Sequence, residues 1–452
     1  MAEILDKLNA FLWGLPALVG ILGVGLYLTV RTGFVQIRFF PGALRRFGKM
    51  LAGQNGSSFR SLCTALGATV GTGNLVGVAG ALCLGGPGSI FWMWVCGFVG
   101  MATKYAEAVL AVYYRSENEG GMIGGPMYII CNGLGKNWRW LSCVYCFLGI
   151  FAAFGVGNAT QINAMLGGIR AVTGWEGKGF LFPLGIMVAV LVGRMLSGGA
   201  KRIGSLAEKL VPLAAGGYIL LCVLVLILRF DQIGSAFAMI LRGAFEPKAV
   251  TGGALGSAFC ALRIGCARGV FTNEAGMGTA AIAHASAEVE HPAEQGMMGI
   301  MEVFLDTIVI CTLTALVILC SGIPIPYGND AGSSLTGMAF STICGGWVQY
   351  FLTAAICCFA IAAILGWGFY AQSCAGYLLG QGSLRWFVCL QMAAAFLGAV
   401  LETEVVWTIS EIMNALMALP NLLCLFALSG KTVELTGSYV SKSKGKSGKG
   451  EK

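Results

Sequence analysis

Charge is what this sequence has least of. Of its 452 residues, 11% are Asp, Glu, Lys or Arg, whereas 57% are hydrophobic and the mean hydropathy is +0.78. A soluble domain carries about 25% charged residues. No water-soluble fold of this length hides so much apolar surface, so the composition excludes one and points to an all-α polytopic membrane protein. Histidine is scarce as well: His284 and His291 are the only two, which gives no support to a His-based metal site or relay. The HExxH signature is absent, and no Ser/His pair or Asp dyad recurs at suitable spacing, so nothing marks an enzyme. No charge occurs between Ser61 and Thr103, and neither GK[ST] nor GxGxxG spacing is found there, which excludes a nucleotide loop.

What is present must be read against that apolar background. Seventeen Cys are scattered through apolar runs; Cys143 and Cys146 form a CxxC without a second Cys or His pair nearby. They read as small hydrophobes rather than metal ligands or disulfides. The net charge of +8 comes largely from residues flanking apolar runs and from the Lys-rich end, Lys431 to Lys452, so it is not a nucleic-acid signal. No cofactor is implied.

About 20 apolar residues cross a bilayer. Runs of that kind lie near 10–30, 61–84, 89–113, 140–165, 179–197, 205–228, 254–286, 298–321, 346–380, 384–402 and 405–427, about 11 transmembrane helices. The first follows acidic Glu3 and Asp6 and has no small-residue cleavage site after it, which fits a retained helix. Gln36–Arg60 is basic and amphipathic and suits the membrane surface. Glu117–Trp140 is Gly-rich and turn-prone. The Lys/Arg bias sets orientation. With the N-terminus outside and the C-terminus cytoplasmic, Lys7, Arg170, Lys178, Arg229, Arg242 and Lys248 fall outside, and the clusters at 31–60, 115–139, 194–209 and the tail fall inside.

Two spans are unlike the rest. GATVGTGNLVGVAGAL, residues 67–82, places five Gly in a membrane helix, and residues 269–278 read GVFTNEAGMG around a central Glu274. Gly weakens a helix interior. One such span alone fits small-residue packing, as in Gly73-xxx-Gly77. Two, five spans apart, divide the chain into halves of five helices, and an odd number inserts the second half upside down. Matched breaks in inverted repeats are the mark of a secondary transporter with its site at the midplane. Unwinding frees N–H and C=O groups that are tolerated in the bilayer only around a cavity or ligand. A half-helix start near Gly73 and Asn74 suits an anion, and opposing carbonyls suit an ammonium or metal cation, so a zwitterionic amino acid satisfies both. A channel is the lesser alternative, since no ring of charge or carbonyls stands out.

The chain also resembles the alanine or glycine:cation symporter family, the sodium:alanine symporters. The likeness is carried by CTALGATVGTGNLVGVAGALCLGGPGSIFWMW (63–94), GMATKYAEAVLAVYYR (100–115), GGPMYI (124–129), GVGNATQINA (155–164), RGVFTNEAGMGTAAIAHA (268–285) and QGMMGIMEVFLDTIVICTLTALVI (295–318). The resemblance implies a leucine-transporter-type 5+5 inverted-repeat core after one extra N-terminal helix. The regions would be 1–60, the extra helix and basic segment; 61–230, the first repeat; 250–428, the second; and 429–452, a basic disordered cytoplasmic tail. It implies import of small neutral amino acids, alanine or glycine, across a bacterial or archaeal inner membrane. Thr72, Gly73 and Asn74 would receive the carboxylate; Phe271, Thr272 and Asn273 would supply carbonyls and shape near the amino group; Gln161 and Trp367 would reach into the site.

In such symporters a hydroxyl pair faces the unwound carbonyls of the first broken helix and completes a Na+ site. Here the matching positions are Ala362 and Ala363, opposite Ala68 and Val70. Na+ needs several oxygen ligands and methyl groups supply none, so the expectation is weakened or lost Na+ dependence, with H+ coupling or exchange as replacements. Glu274 and Asp306 are costly at membrane depth and so are candidates for coupling or for structural charge. Arg263 and Arg268 could neutralise Glu274, and Lys104 and Glu107, at i and i+3, are expected to pair.

Overall fold

The computed structural model describes residues 2–53, 56–118, 121–175, 178–246, 258–329, 332–400 and 404–447. The chain is helical nearly throughout. In order, the helices are α1 Ala2–Leu12, α2 Leu15–Arg31, α3 Val35–Arg38, α4 Phe40–Leu51, α5 Ser57–Thr69, α6 Val78–Gly85 and α7 Gly88–Tyr113. There follow α8 Pro126–Ile129, α9 Arg139–Ala152, α10 Thr160–Thr173, α11 Lys178–Leu196, α12 Gly199–Leu228 and α13 Phe230–Phe245. The second half comprises α14 Ala258–Asn273, α15 Thr279–His284, α16 Pro292–Val303, α17 Thr312–Cys320, α18 Gly332–Cys344, α19 Val348–Leu379, α20 Leu384–Val400, α21 Glu404–Ala427 and α22 Ser429–Ser447. A small antiparallel hairpin, β1 Ser116–Asn118 with β2 Gly121–Ile123, occupies the turn-prone interval after α7.

Among the described residues, six helical stretches are long and apolar enough to cross a bilayer: Glu3–Arg31, Gly88–Tyr113, Lys136–Thr173, Gly199–Leu228, Pro292–Cys320 and Val348–Leu379. The other expected spans fall on shorter or bent helices. Ser57–Thr69 and Gly73–Gly85 meet at 50°, and α21 and α22 are bent by 58°. Of the expected spans, residues 254–257 and 401–402 lie outside the described residues.

α7 is the post on which the bundle is built. It packs against α2, α13, α14, α15 and α16, and from Met101 to Val112 it is buried. The approach of its neighbours requires glycine. A Cβ added at Gly299 of α16 would lie 2.8 Å from the Lys104 carbonyl oxygen, and one at Gly265 of α14 would lie 2.2 Å from that of Ser89. Exposed apolar side chains such as Leu220, Ile227, Phe230 and Trp386 form the outer surface. That is the arrangement expected where lipid is the solvent.

Two expectations are corrected. The end of the chain, read as a disordered tail from 429, is helical from Ser429 to Ser447, with residues 448–452 outside the described region. Thr432, Leu435 and Thr436 are buried, and Thr436 Oγ1 lies 3.0 Å from Tyr105 Oη on α7. The Lys and Ser residues suggest a solvated chain, but residues 432, 435, 436 and 439 follow helical spacing, with Thr436 bonded to the post and Tyr439 packed on Phe39 and His291. Lys104 does not pair with Glu107. Its Nζ lies 2.9 Å from Glu302 Oε1 of α16, and Glu302 Oε2 lies 2.9 Å from His284 Nε2 of α15. His284 Nδ1 is 2.7 Å from Gln295 Nε2, and Ser58 of α5 donates to Gln295 Oε1. This buried chain ties α5, α7, α15 and α16 together.

Removing one member of a buried ion pair leaves the other charge uncompensated, at a cost of about 3–5 kcal/mol. Glu302→Leu is therefore expected to lower the thermal midpoint of the purified protein sharply, and adding Lys104→Met should restore part of the loss. A double variant no more stable than Glu302→Leu alone would contradict this pairing.

Candidate functional site

The first break is built from residues 70–73. Helix α5 ends at Thr69, and Val70 leaves it in an extended conformation with φ −75° and ψ 101°. The helix restarts at Gly73 as a π-helical turn, Gly73–Gly77, before α6. Carbonyls at the end of α5 and amides at the restart have no partners within their own helices, as at any helix terminus.

The second break follows α14. Glu274 takes φ +53°, and Gly276 and Gly278 take φ +92° and +78°, before α15 begins at Thr279. Two glycines adopt the left-handed region without penalty, but Glu274 is strained there. Phe271, Thr272 and Asn273 thus form the last turn of α14 rather than the unwound stretch itself, which lies at 274–278. Glu107 holds that stretch: its Oε1 accepts from Gly276 N at 2.9 Å, Gly278 N at 3.1 Å and Asn421 Nδ2 at 2.8 Å. Tyr145 Oη donates to the Met277 carbonyl at 3.1 Å.

A polar bridge joins the two breaks. Asn74 Oδ1 accepts from Gly71 N at 2.9 Å, and Asn74 Nδ2 donates to Asp306 Oδ1 at 2.7 Å. Asp306 Oδ2 accepts from Thr307 Oγ1 at 2.8 Å, and that oxygen accepts from Asn273 Nδ2 at 3.1 Å. Asn273 Oδ1 in turn accepts from Ala275 N at 3.0 Å. Each Asn caps its own break with its oxygen and reaches residues 306–307 with its nitrogen. Those residues belong to another π-helical stretch, Phe304–Cys311, between α16 and α17. A further one, Ala153–Ala159, leads into α10. π-bulges are frequent at functional sites because they free backbone groups mid-helix.

Around this bridge lie the expected substrate residues. Thr72 Oγ1 donates to Gln161 Oε1 at 3.2 Å, and Gln161 Nε2 donates to the Val156 carbonyl at 3.2 Å. A Cβ at Gly71 would sit 3.7 Å from Gln161 Oε1 and 4.0 Å from the Ala363 methyl; one at Gly73 would sit 3.3 Å from Thr272 Cγ2 and 3.8 Å from Phe271 Cδ1. Trp367 of α19 packs on the bulge, where a Gly157 Cβ would lie 2.4 Å from Trp367 Cβ. Its Nε1 is buried with no hydrogen-bond partner, as is the hydroxyl of Tyr370. The structure therefore gathers Thr72, Gly73, Gln161, Phe271 and Thr272 at one place, with Trp367 one layer behind. The side chains of Asn74 and Asn273 are already engaged in holding the breaks. Asn158 donates to Gln391 of α20, an interhelical bond.

At the expected cation position, Ala362 and Ala363 are buried and face the end of α5. A Cβ at Gly67 would lie 3.5 Å from the Ala362 Cβ. The α19 wall opposite Ala68 and Val70 is therefore methyl, not hydroxyl. Glu274 Oε2 accepts from Thr279 Oγ1 at 2.6 Å. Arg263 and Arg268 instead line a pocket of about 190 Å³ with Asn9, Trp13, Glu411 and Phe271. Asp306, read as a charge with no stated partner, is the centre of the bridge.

Reasoning from the sequence missed Glu107 and Asn421, which hold the second break, and Thr307, which completes the bridge. The available signal is the occurrence of single polar residues in apolar spans: spacing pairs Glu107 with a neighbour on its own helix, whereas its partners come from residues 276, 278 and 421.

The profile of the sodium:alanine symporter family matches residues 1–452. An uncharacterized transporter of Haemophilus influenzae is 40% identical over 98% of this chain and 97% of its own. The sodium/alanine symporter AgcS of Methanococcus maripaludis is 40% identical over 97% of both chains. The probable sodium/glutamine symporter GlnT of Bacillus subtilis is 35% identical over 95% of this chain and 89% of its own.

Burying a donor without its acceptor costs about 1–3 kcal/mol. Glu107→Leu removes the shared acceptor of three donors, so it should abolish transport and lower the thermal midpoint, whereas Glu107→Gln keeps an oxygen there and should be milder on both. Equal effects of the two variants would contradict the capping role.

Proposed function

The chain belongs to the sodium:alanine symporter family, and from that premise we propose that it imports alanine and glycine by alternating access around the two breaks. It is a multi-pass membrane transporter carrying amino acids by cation-coupled symport. The finer reading rests on one observation: the unwound backbone at 70–73 meets the last turn of α14 beside Gln161, with space set by Gly71 and Gly73. The carboxylate would take the amides at the restart near Gly73, where the helix dipole favours an anion. The ammonium would take carbonyls at 271–273, and Gln161 would orient the ligand through the Thr72 contact. Phe271 and Thr272 approach so closely that little room is left beyond a methyl side chain, which favours small neutral substrates.

The halves 61–230 and 250–428 would form the 5+5 inverted repeat, rocking against each other with the N-terminus outside and the C-terminus cytoplasmic. The pocket beyond Phe271, next to α1, would be the outward vestibule. The bridge through Asp306 lets a ligand at either break act on both, shifting the population between outward-open and inward-open states.

The coupling cation is where this chain departs from its family. The methyl groups of Ala362 and Ala363 offer no ligand, so Na+ binding against the end of α5 would rest on carbonyls alone. Proton coupling is the second reading, favoured by the excess of buried acids. Glu107, Glu274, Glu302 and Asp306 are between 0% and 3% exposed, and among the described residues Lys104 and His284 are the basic side chains paired within this group, both with Glu302. An unpaired buried carboxylate is costly, and a bound proton removes that cost.

Uptake of labelled alanine into vesicles should be stimulated little by an inward Na+ gradient, and Ala362→Ser with Ala363→Thr should raise that stimulation. Strong Na+ stimulation of the unaltered protein contradicts the reading. Gly73→Ala should reduce alanine uptake more than glycine uptake, because the added methyl takes the space at Thr272; equal losses would argue against this placement of the substrate.

A further inference from the structure

A large cavity lies away from the two helix breaks. It has a volume of about 800 Å³ and sits where α4, the start of α16 and α22 meet. Arg38, Arg45, Arg46 and Lys49 line one side, and Met50, Met297 and Val440 contribute to the other. Arg46 is 2.9 Å from Glu294, yet its Nε is buried without a hydrogen-bond partner. Among the described residues, Arg38, Arg45 and Lys49 form no ion pair. One carboxylate against four cations leaves the cavity strongly positive.

Its position relative to the bilayer can be read from α3 and α4. Ala43 and Met50 are buried against the bundle, whereas Ile37, Leu44 and Leu51 are 59%, 50% and 57% exposed. The exposed residues recur at intervals of seven, on one face of the helical track, so this face meets lipid and the segment lies in the interface. The cations therefore stand at headgroup height beside an apolar wall. Gly42, whose added Cβ would approach Met297 Sδ at 3.4 Å, keeps the floor open.

An anion with a phosphate and an apolar tail fits both walls. Guanidinium groups grip phosphate in bidentate fashion, and an interfacial cation draws anionic lipid. We propose that this cavity binds the phosphate headgroup of an anionic phospholipid. The bound lipid joins α4 to α16 and α22, and α16 runs directly into the 304–311 stretch that carries Asp306, so occupancy would stabilise the helix that links the two breaks.

The test uses the purified full chain in neutral detergent, titrated with phosphatidylglycerol, with phosphatidylcholine or with inorganic phosphate, and reads the thermal midpoint. Phosphatidylglycerol should raise it in a saturable way and phosphatidylcholine should not. Arg45→Gln with Lys49→Gln, both at the surface, should leave the lipid-free midpoint unchanged and weaken the apparent affinity roughly fivefold per cation removed. Arg194→Gln with Lys201→Gln, the same charge change elsewhere, should leave the response intact. Equal responses to both lipids, or equal losses in the two double variants, would overturn the site. Stabilisation by inorganic phosphate alone would overturn the lipid assignment in favour of a soluble anion.

Discussion

Inside a bilayer no water is present to accept a hydrogen bond from an unwound backbone, and this constraint governs the centre of the molecule. Two helices stop and restart at membrane depth, and each needs something to hold it open. Asn74 and Asn273 do the same work at the two breaks. The amide oxygen of each accepts from the backbone of its own break, at Gly71 and Ala275, and the amide nitrogen of each reaches residues 306–307. The breaks are thus fixed both locally and to one another. Glu107 adds a separate clamp on the second break, with its carboxylate oxygen shared among three donors.

That double use of asparagine separates structure from binding within the same few residues. The side chains hold the backbone of both breaks in place. It also places a carboxylate, Asp306, at the centre of the bridge, hydrogen-bonded toward both breaks. The α19 wall carries methyl groups at 362 and 363, while buried acids, Asp306 and Glu274, are hydrogen-bonded at the breaks.

Much of this was legible in the sequence because the physics was local. The scarcity of charge fixed the membrane setting, and the glycines at 71, 73, 276 and 278 marked both breaks to within a few residues. Partnership across the fold was not legible. Spacing pairs Glu107 with the nearest cation on its own helix, but Lys104 turns to Glu302, and the acceptor role of Glu107 depends on backbone more than 160 residues away. The π-helical turns at 73–77, 153–159 and 304–311 carry no signature in residue type. The helix at 429–447 was hidden by its Lys-rich composition, although its buried stripe at 432, 435 and 436 was present in the spacing.

The central claim is that the two breaks together form a site for a small zwitterion whose binding does not depend on a Na+ ion held at Ala362 and Ala363. The most direct measurement is ligand-induced thermal stabilisation of the purified protein across a panel of amino acids, once in Na+ and once in choline. Alanine and glycine should raise the midpoint in both media, and phenylalanine and aspartate in neither. Stabilisation by alanine in Na+ alone, or by no small neutral amino acid in either medium, would contradict the account.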